Sequence, residues 1–180
     1  MQNRRILGVD PGTRIAGWGV VVEEAPGRLR RLASGVWRLD RRQPAAVRLA
    51  RLQELAAAAL REWRPDRLAL EAAFFGRNAR SALRLGEARG VILAAAAAAG
   101  VEVVELPPAL VKRRVGGGGA VSKEGLAALV AAQLGFEPRS GPADETDALA
   151  VALCAFLQAP AETRKPGHNG RELPPGAALQ

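Results

Sequence analysis

The sequence predicts an α/β domain built on a mixed five-stranded sheet, an antiparallel meander followed by parallel strands, flanked by helices. Three observations carry this expectation. Residues 6–37 hold three short apolar or alternating runs joined by short links, the pattern of a meander. From residue 44 onward, stretches with apolar residues at the helical period alternate with short apolar runs, which is how helical crossovers join parallel strands. Glycine and proline then punctuate the blocks where turns and caps are required. The first strand, residues 6–9, is stopped by the turn Asp10-Pro11-Gly12-Thr13. Residues 17–22, rich in Val and Trp, supply the second, and residues 28–37, alternating basic and apolar, the third. From Pro44 to Trp63 the apolar series Val47, Leu49, Leu52, Leu55, Ala59 and Leu60 marks a helix that Pro65 ends. Leu68-Ala69-Leu70, closed by Glu71, is the fourth strand; residues 78–99 form a second long helix with Gly100 as its C-cap, and residues 101–106 the fifth strand. Residues 115–119, Val-Gly-Gly-Gly-Gly, are expected as a flexible loop before a helix at 123–134, and a last helix spans 144–157. Residues 159–180 contain Pro160, Pro166, Pro174 and Pro175 with little to bury, so the expected organisation is one folded domain, 1–158, and a disordered tail, 159–180.

Composition narrows the function. The 180 residues are 48% hydrophobic, enough for one core without metal or disulfide staples. Lys and Arg number 26 against 18 acids, a net charge of +8, which suits a polyanionic partner. Cys154 has no second cysteine to bridge to, which suits a reducing cytoplasm, and His168 is the sole histidine. Zinc sites of the Cys/His type and Ser-His-Asp or Cys-His catalysis therefore lack their ligands and bases, and a metal would have to bind carboxylate oxygen. The longest apolar run, residues 91–99, falls far short of the roughly 20 residues that cross a bilayer, and charges come too early for a signal peptide. A soluble, unprocessed chain with no membrane partner is expected.

The carboxylates point to the chemistry. Asp10 ends the first strand and Glu71 the fourth, and in such a sheet the carboxyl ends of neighbouring parallel strands converge. Asp144 and Asp147 are i and i+3 on one face of the last helix. Four converging carboxylates repel unless counter-ions lie between them, and Mg²⁺ or Mn²⁺ with oxygen ligands is the natural answer; two such ions can activate water for phosphodiester hydrolysis. Each acid also has a plainer role. Asp in Asp-Pro-Gly forms turns, Glu71 can mark a sheet edge or pair with Arg77, and acids at 144, 145 and 147 compensate a helix dipole. Lys112 and Lys123, two of only three lysines, flank the glycine segment and can approach a backbone phosphate. Phe74-Phe75, followed by Arg77, lies just after Glu71, where an aromatic residue can fill a core or stack on bases.

Taken together, these residues resemble the RuvC family of bacterial Holliday-junction resolvases, nucleases of ribonuclease H-like fold. Leu7-Gly8-Val9-Asp10-Pro11-Gly12-Thr13 with Gly17-Trp18-Gly19 is similar to the family's first strand and turn. Leu70-Glu71, Phe74, Asn78, Ser81-Ala82 and residues 85–90, Leu-Gly-Glu-Ala-Arg-Gly, resemble its second signature. Residues 143–150 fit its terminal helix, and Lys112, Gly117, Gly119 and Lys123 its glycine loop. The resemblance implies that Asp10, Glu71, Asp144 and Asp147 bind catalytic Mg²⁺, with Mn²⁺ an alternative and two ions per site. It implies that Lys112, Lys123, Phe74 and Arg77 contact DNA, and that the helix from Asn78 forms a homodimer interface suited to a two-fold four-way junction. Paired nicks leaving 5′-phosphate and 3′-hydroxyl ends, and partnership with RuvA and RuvB, come with the same resemblance.

Ala16, Val121, Glu124 and Gly125 depart from the family's commoner pattern, and Gly125 is expected to weaken the following helix by about 1 kcal/mol relative to Ala. Two rivals remain. Asp10-Pro11-Gly12-Thr13 also resembles the phosphate loop of actin-like and sugar-kinase-like ATPases, although 180 residues supply one lobe where those enzymes close two. A related short family, YqgF, shares that opening but not the block from Phe74 to Gly90. The other rival is a basic DNA-binding module without catalysis, which would leave the carboxylates unused.

Overall fold

A computed structural model describes residues 3–72, 79–118, 121–137 and 143–158. Its elements run β1 (Arg5–Asp10), β2 (Ile15–Ala25), β3 (Arg28–Arg38), α1 (Ala45–Trp63), β4 (Arg67–Glu71), α2 (Ala79–Ala98), β5 (Glu102–Leu106), α3 (Pro108–Gly116), α4 (Lys123–Leu134) and α5 (Ala143–Gln158). The strands form one sheet in the order β3-β2-β1-β4-β5. β1, β2 and β3 pair antiparallel, whereas β4 pairs parallel to both β1 and β5. This is the mixed five-stranded sheet that the sequence predicts.

Side-chain alternation sends each strand's residues to two separate cores. Leu7, Val9, Val20, Leu68 and Leu70 meet Leu52, Ala56 and Leu60 of α1 and Ala88, Ile92 and Ala96 of α2. On that face Trp18 is stacked between Trp37 and Trp63, with ring centroids 6.1 and 6.3 Å away. Ile6, Val21, Ala69 and Leu106 meet Val111 and Val115 of α3, Leu126, Val130 and Leu134 of α4, and α5. α5 is buried without interruption from Ala148 to Phe156, the signature of a helix enclosed on every side.

Three glycines let α5 lie directly on the sheet. A Cβ at Gly8 would overlap the carbonyl of Ala148, one at Gly17 the carbonyl of Asp144, and one at Gly19 would come within 2.5 Å of Leu149 Cδ2. Helix backbone therefore touches strand backbone along β1 and β2.

The sequence reading misses one element. Residues 108–116 are a helix, α3, so Val115 and Gly116 belong to it and not to a loop; Gly117, at φ 71°, caps it. The Pro107-Pro108 pair reads as a break, yet Pro108 stands in the first helical turn, where a missing N–H costs nothing. Gly125 also has a role beyond low helix propensity. Val121 nests between it and Gly116: a Cβ at either glycine would crowd the valine, at 2.9 and 2.6 Å. Ser122 offsets the weak start of α4 by accepting the Gly125 N–H at 3.1 Å. Residues 159–180, expected as a tail, lie outside the described residues.

Candidate active site

β1 and β4 are adjacent parallel strands, with Val9 opposite Leu70, so Asp10 and Glu71 end side by side. Both follow the parity of Gly8 and Ala69, and both carboxylates stand on the α5 side of the sheet. Gly17, the partner of Asp10 in β2, is where the Asp144 backbone rests. The close approach permitted by glycine thus delivers the first turn of α5, with Asp144 and Asp147, to the end of β1.

The electrostatics register this convergence. The Asp10 carboxyl is pushed up to about 7, first by burial and then by the negative charges of Glu71, Asp147 and Asp144, with Lys123 partly offsetting them. Glu71 is raised as well, by burial and then by Asp147, against the cations Lys123, Lys112 and Arg89. Lys123 is held above its ordinary value chiefly by its hydrogen bond to Asp147, with Nζ 2.8 Å from Oδ2. Among the described residues no three acids close on one point tightly enough to cage an ion as they stand, and Lys123 supplies the counter-charge. The donor set nonetheless suits a hard divalent cation: every donor is carboxylate oxygen, two are pushed toward the neutral form by burial and then by their acidic neighbours, and an ion would relieve that repulsion.

Beside the acids opens a cleft of about 370 Å³, lined by Glu71 and Asp147, by Lys112 of α3 and Lys123 of α4, and by the apolar Val111, Leu126 and Val151. Lys112 reaches it from a helix, not from the edge of a glycine loop. Phe74 and Arg77 lie outside the described residues.

Two features escape the sequence reading. Ser34 Oγ of β3 donates to Glu145 Oε1 at 2.6 Å and accepts from Arg31 Nη1 at 3.2 Å, while the Arg31 guanidinium covers the Phe136 ring at 4.5 Å. This network fastens the first turn of α5, between Asp144 and Asp147, to β3. Arg89 of α2 donates to the Glu71 carbonyl and to Glu105. Neither is marked by any spacing rule, although glycines two apart at 17 and 19, all on one strand face, do signal a close backbone approach.

Residues 6–155 match the family model of the crossover junction endodeoxyribonuclease RuvC. The chain belongs to the RuvC family. Crossover junction endodeoxyribonuclease RuvC of Myxococcus xanthus is 46% identical over 176 residues, covering 97% of this chain and 92% of that relative. The structure of Thermus thermophilus RuvC in complex with a Holliday junction substrate is similar at a TM-score of 0.81 and 34% identity, over 86% of this chain and 93% of the other. The yeast mitochondrial Holliday junction resolvase Ydc2, at 14% identity, covers 86% of this chain and 78% of its own with a TM-score of 0.66, and so shares the fold. The ribonuclease H-like sheet expected from the RuvC resemblance is thus the one found. Among the described residues no helix is long and apolar enough to cross a membrane.

Proposed function

We propose that this protein resolves four-way (Holliday) DNA junctions during recombination and repair, as a homodimer that hydrolyses one phosphodiester in each of two opposed strands and leaves 5′-phosphate and 3′-hydroxyl ends. The observation that carries the reading is the convergence of Asp10, Glu71, Asp144 and Asp147 at the carboxyl ends of β1 and β4, where burial, and then the neighbouring negative charges, raise Asp10 to about 7. Asp10, Glu71, Asp144 and Asp147 would hold Mg²⁺, or Mn²⁺, as two ions per site. Such ions, when bound, lower the pKa of water and neutralise charge on the reacting phosphate.

The remaining work falls to the chain's own groups. Lys112 and Lys123 line the cleft and suit the DNA backbone as point charges. Lys123 has a second duty: paired with Asp147, it keeps the carboxylate cluster from repelling itself apart in the free protein. Phe74 is assigned to the junction by the family resemblance, as are the dimer contact of α2 and the partnership with RuvA and RuvB; Arg77, three residues on, is assigned to the same contact, and the lone Cys154 suits a cytoplasmic location. The net charge of +8 supports the nucleic-acid partner. Residues 1–158 would carry all of this and 159–180 none.

The deciding experiment is cleavage of a labelled synthetic four-way junction and a matched linear duplex, with Mg²⁺, with Mn²⁺ and with chelator. Symmetric, metal-dependent nicks in the junction alone are expected. Tight junction binding with no cut under either metal would overturn the nuclease reading in favour of a binding module.

A further inference from the structure

Arg89 is the one buried charged residue among the described residues, 8% exposed, and nothing in the proposed chemistry uses it. It sits on α2, on the opposite side of the sheet from the carboxylates. Nη1 donates to the backbone carbonyl of Glu71, the last residue of β4, and Nη2 donates to Glu105 Oε2 of β5 at 2.7 Å. β4 and β5 run parallel there, with Leu70 opposite Glu105 and Glu71 opposite Leu106, and the N–H of Ala72 donates to the Leu106 carbonyl at 2.8 Å. The guanidinium therefore stitches the two strand ends together where the sheet stops.

Burying a guanidinium is unfavourable unless its donors are met, and here one planar group meets a carbonyl and a carboxylate in different directions. An ammonium has no such fork. The carbonyl it grips is joined to the Glu71 Cα by a single rotatable bond, so fixing that carbonyl fixes ψ and, through it, the direction in which the side chain leaves the strand. We infer that Arg89 is a positioning residue for Glu71, holding the end of β4 from behind the sheet so that the carboxylate faces Asp10 and Asp147. The inference rests on the reading of Glu71 as one of the ion-holding carboxylates.

The test measures three quantities for Arg89→Lys and Glu105→Gln: the Mg²⁺ concentration for half-maximal junction nicking, junction affinity in chelator, and the thermal midpoint. Groups that orient metal ligands without touching the metal change its affinity by about 10- to 100-fold. Arg89→Lys is expected to raise the half-saturating Mg²⁺ about tenfold with junction affinity unchanged, and Glu105→Gln to shift it the same way by less. Should Arg89→Lys fail to fold, Glu105→Gln decides alone. An unmoved Mg²⁺ requirement overturns the inference, and so does a loss of activity that merely follows the thermal midpoint and junction affinity downward. Glu71→Gln separates the two layers: if it leaves nicking intact the reading of Glu71 is wrong, whereas if it abolishes nicking while Arg89→Lys leaves the Mg²⁺ requirement unmoved, only the role of Arg89 is wrong.

Discussion

β2 shows the two sides of this protein in three consecutive residues. Trp18 points to the α1/α2 side and is stacked between two further tryptophans; Gly17 and Gly19 point to the α5 side and contribute no side chain at all. On the first side the separation of helix from sheet is set by the bulk of Leu7, Val9, Val20, Leu68 and Leu70. On the second the separation is set by backbone touching backbone. A layer filled by volume tolerates exchange among similar side chains, because packing needs only the right total volume. A layer set by contact has no slack, and that is the layer that carries Asp144 and Asp147.

The largest expected effect lies at the carboxylates. Asp10→Asn removes a proposed ion ligand and should abolish nicking while junction binding persists, since the basic surface is unaltered; near-normal nicking would contradict the assignment. The same variant has a pH signature in chelator. A carboxyl raised from 3.8 to about 7 holds its proton more tightly in the folded chain than in the unfolded one. That contribution to stability is complete below the unfolded value and is lost as pH rises through about 7. At pH 8 the variant should therefore be more stable than the parent by on the order of 2–4 kcal/mol, with the advantage gone by pH 4, as denaturant titrations at the two pH values would show.

Next comes a direct contest between the faces. Gly17→Ala forces the first turn of α5 away from β2 and should reduce nicking by about 100-fold, the effect of a misplacement near 1 Å. Leu52→Ala, on the other face, should cost about 2–5 kcal/mol of stability and leave the rate of the folded fraction unchanged. Equal effects of both on the rate would erase the distinction. A smaller loss belongs to Ser34→Ala, about 1 kcal/mol by urea unfolding, since Glu145 and Arg31 each lose a partner but keep one another within 3.7 Å. Deleting residues 160–180 should have the smallest effect, a thermal midpoint and oligomeric state within error of the parent; a large fall would show that the tail packs.

How far the sequence discloses all this depends on the kind of interaction. Strands and long helices are legible because burial repeats along the chain, as at Leu52, Ala56 and Leu60 or Leu68 and Leu70. The carboxylates are legible for another reason: acids at two strand ends and one helix face are scarce in so basic a chain. α3 is not, because nine residues with two buried positions, Val111 and Val115, leave too short a period between a proline pair and a glycine run. Arg89 is hidden more deeply. Its partner at β4 is a backbone carbonyl 18 residues earlier, and an arginine among alanines on a helix looks like any solvated one.

The order of the elements along the chain has a consequence for synthesis. β1, with Asp10, leaves the ribosome among the first described residues, and α5, with Asp144 and Asp147, among the last. A domain generally folds as a unit, and α5 supplies much of one of its two cores. Until α5 has emerged, the glycine track on β1 and β2 has no helix to seat and two of the four clustered acids, Asp144 and Asp147, are missing, so the capacity to cut DNA arrives with the final helix.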